Sequence, residues 1–156
     1  MKRFLSLLLV LALFVPAAFA EPSQSDIDEF DIYASVFGFD SLKLSDAEIH
    51  TINNAKAPCS AMWHFDSCRL AVTFNSLNMV NGAMINGSGD TFLNACAAII
   101  TYLDKPNFAT NLGAFLFAYL MAQQLPDGEK ELSTLVDGTV FHVENHSTYY
   151  TFMVVK

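Results

Sequence analysis

The sequence predicts an α+β domain: an antiparallel sheet with two apolar central helices packed on one face, preceded by two short N-terminal helices. Two adjoining stretches, 90–105 and 112–122, are apolar with helical spacing, while segments before and after them alternate as strands do. The elements run helix, helix, strands, helix, helix, strands, with no internal repeat and no low-complexity linker. The order of strands within the sheet does not follow from this.

Residues 1–20 read as a secretory leader. Lys2 and Arg3 give the positive start, residues 4–14 the apolar run, and Ala18-Phe19-Ala20 an A-x-A cleavage site. A leader this plain looks bacterial and predicts a periplasmic or secreted product, with residues 21–156 forming a single domain. The chain carries 16 acidic against 8 basic residues, a net charge of −8, and loses two cations with the leader. Phosphates would be repelled, so a nucleic-acid partner is excluded, and adsorption to anionic lipid is disfavoured.

The first helix is expected over 25–37. Ile27, Phe30, Ala34 and Phe37 share a face, Ser25-x-x-Asp28 resembles a capping box, and Gly38 is a natural stop. A second short helix is expected over 46–54. Ser45-x-x-Glu48 is a full capping box, and Leu44 can meet Ile49 as a hydrophobic staple. Residues 55–66 read as an ordered loop held by Trp63 and a disulfide.

Of the three cysteines, Cys59 and Cys68 are the expected pair, since an oxidising compartment favours one bond and these two flank a short loop. Cys68 with Cys96 is the alternative pairing. A thiol left over is expected to be a small buried hydrophobe.

From Cys68 the pattern alternates, with Leu70, Val72 and Phe74 on one side and Arg69, Ala71 and Thr73 on the other. Asn81-Gly82 is a turn dipeptide between two short apolar runs, 77–80 and 83–85, and predicts a further strand or a hairpin before the loop 86–89. In the first central helix, Phe92, Cys96, Ile99 and Leu103 recur at steps of three and four, Asp90 is the candidate N-cap, and Pro106 ends the segment.

The second central helix, 112–122, has no charged residue and is apolar on every side. Such a helix is enclosed by protein or leaves a strip for something else to cover. It is well short of the roughly 20 residues that span a membrane. After the turn Pro126-Asp127-Gly128, residues 129–136 read as a short helix or irregular connection. Two strands, 139–144 and 148–155, then flank Asn145-His146-Ser147, which also matches a glycosylation sequon.

Catalytic chemistry is sparse. His64, Asp66 and Cys68 could supply a base, an orienting carboxylate and a thiol if they shared one strand face. His142-x-x-x-His146 straddles a turn, so no metal site is expected, and no phosphate loop or cofactor motif is present. The remaining candidates are aromatic and apolar: a ligand or partner surface at Phe117, Met121, Phe115 and Tyr119, with Phe92 and Phe152 as further lining of an apolar pocket. The expected function is an exported, non-enzymatic module that binds a protein or an apolar small ligand, homo-oligomerisation through 112–122 being one form of it. The alternative is a small thiol- or histidine-dependent periplasmic enzyme using His64 and Cys68.

Overall fold

A computed structural model of the chain describes residues 24–38, 42–50, 59–65, 67–75 and 79–156. The expected leader and Asp66 lie outside them. The described residues form an α+β fold with three α-helices and a seven-stranded antiparallel sheet.

Helix α1 spans Gln24–Val36. Ile27, Phe30 and Ala34 are buried at helical spacing, and Gly38, at φ 84°, donates its N–H to Ser35 at 3.1 Å as the chain leaves the helix. Phe30 meets Tyr102 edge-on at 5.4 Å, and the Lys105 ammonium pairs with Glu29 and sits 5.1 Å from the centre of the Tyr33 ring.

The second expected helix does not form in the described part of 46–54. Its capping box is occupied otherwise: Ser45 Oγ donates to Asp46 Oδ1 at 3.0 Å, the helical turn is a 3-10 turn over Leu44–Asp46, and Glu48 opens strand β1, Glu48–His50. Residues 51–54 lie outside the described residues. The expected loop at 55–66 is likewise corrected, since Ser60–Phe65 is strand β2. Its inward residues Ala61 and Trp63 are buried, and the Trp63 indole N–H donates to Lys43 O at 3.1 Å.

Strand β3, Cys68–Phe74, buries Cys68, Leu70, Val72 and Phe74, the alternation expected of it. Strand β4, Val80–Gly87, continues through Asn81-Gly82 with a shift of register, Thr73 pairing with Gly82 but Phe74 with Val80, so the further strand forms and the hairpin does not. Thr73 pairs with Gly82, and a Cβ at Gly82 would lie 2.7 Å from Val154 O. The glycine therefore serves close strand approach rather than a reversal.

Helix α2, Gly89–Leu103, begins after Ser88, two residues before the start that an Asp90 cap requires, so Ser88 and not Asp90 holds the cap position. A 3-10 turn over Lys105–Asn107, with Pro106 inside it, leads into helix α3, Phe108–Ala122. Strands β5 (Lys130–Thr134), β6 (Val140–Asn145) and β7 (Tyr150–Val155) complete the sheet. The short helix or irregular connection expected at 129–136 is therefore corrected: Lys130–Thr134 is an edge strand paired with β6.

Strand order is β1-β2-β3-β4-β7-β6-β5. Two meanders meet where β4 pairs with β7, and the helices cover one face: α2 lies over β3 and β4, α3 over β5 and β6, and α1 flanks α2. The outward face carries an unbroken row from strand to strand: Met62, Ala71, Met84, Met153, His142 and Leu132. Beside it runs a polar row, His64, Arg69, Asn86, Thr151, Glu144 and Lys130.

All three cysteines are buried and none is joined to another in a disulfide. The expected Cys59–Cys68 bond fails on register. Phe74 N donates to Cys59 O at 2.9 Å, whereas Cys68 pairs with Phe65 at the other end of the ladder. Six residues of strand separate them, roughly 20 Å, against a limit of about 7 Å between bridged Cα atoms. The alternative pair, Cys68 with Cys96, shares the core between β3 and α2 without a bond.

Candidate interaction surface

Helix α3 has no charge to decide its orientation, so packing and one polar side chain do. Phe115, Ala118 and Ala122 are buried against the sheet, and Asn111 is fully buried with them. Asn111 Oδ1 accepts the Val136 N–H at 2.7 Å and its Nδ2 donates to Asp104 Oδ2 at 2.8 Å. Asn107 Nδ2 donates to both Asp104 oxygens at 3.1 Å. The α2–α3 junction, the turn between β5 and β6, and α3 are therefore fixed together by one hydrogen-bonded cluster.

With that face committed, the opposite one is left outside. Ala109, Thr110, Gly113, Leu116, Phe117, Leu120 and Met121 recur at helical spacing and are exposed. Phe117 is 63% exposed, Leu120 58%, Leu116 49% and Met121 41%. Taking roughly 200 Å² for a large side chain, these four alone present an apolar area on the order of 400 Å², within the range at which the largest patch on a monomer is often functional.

The four residues singled out in the sequence divide accordingly. Phe117 and Met121 stand on the uncovered strip. Phe115 is in the core, its ring edge-on to Phe152 at 5.6 Å, and Tyr119 is half-buried beside it, 4.9 Å from Tyr150. Phe92, Phe115, Tyr119 and Phe152 pack ring against ring between helices and sheet as one aromatic cluster. Burial raises the Tyr119 hydroxyl above its ordinary pKa, and Tyr150 adds to the shift. Leu116, Leu120 and Gly113 were missed, although steps of three and four from Phe117 lead to each of them.

His64 and Cys68 both border a cavity of about 590 Å³ at the β2–β3 turn, together with Arg69, Asn86 and Tyr149. They do not face each other. Burial pushes the Cys68 thiol up to about 11 and raises Cys96 well above its ordinary value, with Cys68 adding to the latter shift. His64 stands outside, its Nε2 3.4 Å from Glu48 Oε1. A thiolate activated by a neighbouring base is not what this arrangement supplies.

Among the described residues, no three His, Cys, Asp or Glu side chains are grouped to hold a metal ion. No helix among them is long and apolar enough to cross a membrane. No family model, curated protein or solved structure matches the chain.

Proposed function

We propose that the chain is an exported, non-enzymatic interaction module that holds its partner on the uncovered face of α3. One observation carries this reading: four large apolar side chains, Leu116, Phe117, Leu120 and Met121, stand in solvent on one side of a helix whose other side is fully used. A single exposed leucine would mean nothing, but a continuous strip without any charge costs solubility unless it is covered. The protein's acidity keeps the free form soluble while leaving the strip itself neutral.

Export rests on the leader pattern at residues 1–20, and N-terminal sequencing of the product tests it: a mature start at Glu21 is expected, and retention of Met1 overturns it. For the interaction, a photoactivatable benzoylphenylalanine placed at position 117 or 120 is expected to give a discrete protein adduct in the producing cells. The same group at the exposed Ser35 is the control. Absence of any adduct from 117 and 120 removes the reading.

A further inference from the structure

We infer that the occupant of the α3 strip is a second copy of this chain, docked antiparallel so that the large residues of one strip lie on the small residues of the other. This rests on the reading of α3 as the interaction surface and names its partner.

The strip is graded along its length. Its N-terminal half is small, with Ala109, Thr110 and Gly113, and its C-terminal half is large, with Leu116, Phe117, Leu120 and Met121. A two-fold axis crossing the helix pair at the level of residue 115 sets Gly113 opposite Phe117, Thr110 opposite Leu120 and Ala109 opposite Met121. Each level then pairs one large side chain with one small one, as an isologous contact requires. Gly113 gains a reason from this. Glycine weakens a helix interior, yet a Cβ at 113 meets nothing within 4 Å in its own chain. Its missing side chain makes room for something outside the fold.

Charge leaves α3 as the face where this occupant is not opposed. The chain is net −8, so two copies repel wherever their acidic surfaces meet. No charged residue lies in α3, which lets identical copies approach there without opposing like charges. The described sheet edges offer no rival contact: β5 opens with Lys130 and Glu131, and β1 is three residues long. Adding the small residues to the four large ones gives roughly 500 Å² per copy, about 1,000 Å² in all, the lower bound for a specific interface. A reversible dimer of micromolar strength is expected.

Sedimentation of the purified full chain tests this. The wild type is expected to dimerise with concentration, and more tightly as salt is added, because salt screens the repulsion between acidic copies. Phe117→Glu should weaken the dimer at least tenfold while circular dichroism and melting stay unchanged. Gly113→Leu should weaken it similarly while raising the melting temperature, a pair of opposite effects that only a contact outside the monomer gives. Met121 should resist peroxide in the dimer, with Met79, 52% exposed, oxidising as the control.

A wild type that stays monomeric up to about 500 µM overturns the inference, and so does a dimer indifferent to Phe117→Glu. A dimer indifferent to Gly113→Leu overturns the antiparallel register. Adducts at position 117 with a different protein, or with the apolar run at 4–14 of the same chain, also overturn it. The first of these leaves the interaction-module reading standing, whereas absence of every adduct removes both.

Discussion

His64 and Cys68 lie on opposite faces of the β2–β3 hairpin, because His64 pairs with Arg69 and Phe65 pairs with Cys68. Four positions apart in sequence, they are separated by the sheet itself: the imidazole faces outward and the thiol is 3% exposed beneath the helices. The side chains nearest to a catalytic arrangement in the sequence are thus placed where neither can act on the other.

The thiols should be inert in the native protein. Burial holds Cys68 near 11 and Cys96 well above its ordinary value, so neither is a thiolate at neutral pH. Iodoacetamide at pH 7.5 is expected to modify none of the three cysteines in the folded chain and all three after denaturation. A rapid native reaction at Cys68, or a bond resistant to alkylation after unfolding, contradicts the arrangement described.

Phe115 and Phe117, two residues apart on α3, should behave as different kinds of residue. Phe115→Ala removes a core ring packed on Phe141 and Phe152 and is expected to cost about 3–5 kcal/mol. Phe117→Ala should change monomer stability by no more than about 0.5 kcal/mol. Urea unfolding of the two variants at a concentration where the chain is monomeric checks the contrast, and similar losses would mean that α3 is rotated from its described position.

Asn111 is the polar residue that sets that rotation. Asn111→Leu strands the Val136 N–H and leaves the Asp104 carboxylate with one donor fewer, a loss of about 1–3 kcal/mol. Asn111→Asp should be worse, since it places a second carboxylate against Asp104. Thermal melts in which Asp is tolerated better than Leu would show that the cluster is not what holds α3.

Stability should fall as pH drops below about 6.5. Burial, and then the charge of Lys130, hold His142 below its ordinary pKa, and Glu144 opposes them only in part. The folded chain resists a proton that the unfolded chain accepts, so the contribution is present above the unfolded value and lost as pH falls through the folded one. His142→Gln should flatten urea midpoints between about pH 7 and 5 relative to the wild type. A variant with the same slope as the wild type assigns the effect to another group.

Where the period was long and apolar, the sequence was legible: α1, α2, α3, β3 and the final hairpin all lie close to their expected places. Short elements with mixed composition were not. Ser45-x-x-Glu48 has the spacing of a capping box, but the hydroxyl bonds to Asp46 and the chain extends into β1. Asn81-Gly82 has the residues of a turn, yet the requirement there is for a strand lacking a Cβ, which reads the same in one dimension. The edge strand β5 is polar because one of its sides has no neighbour, so its alternation is faint. On the surface, the apolar run of α3 was visible but its exposed side was not, since a helix apolar all round gives no moment to orient it. Asn111 was the missing marker, and the sequon at Asn145 misleads in the same way: that side chain is buried and donates to Leu125 O at 2.8 Å.

The junction of the two meanders has a bearing on how the chain is made. Thr151 Oγ1 donates to Asn86 Oδ1 at 2.7 Å across 65 positions of sequence, and everything between them includes both oily helices. Until β7 arrives, β4 exposes a bare edge, and α2 and α3 have only part of their floor. A polypeptide synthesised or threaded from its N-terminal end therefore spends most of that passage unable to close its middle, a state in which holding chaperones would find a ready client.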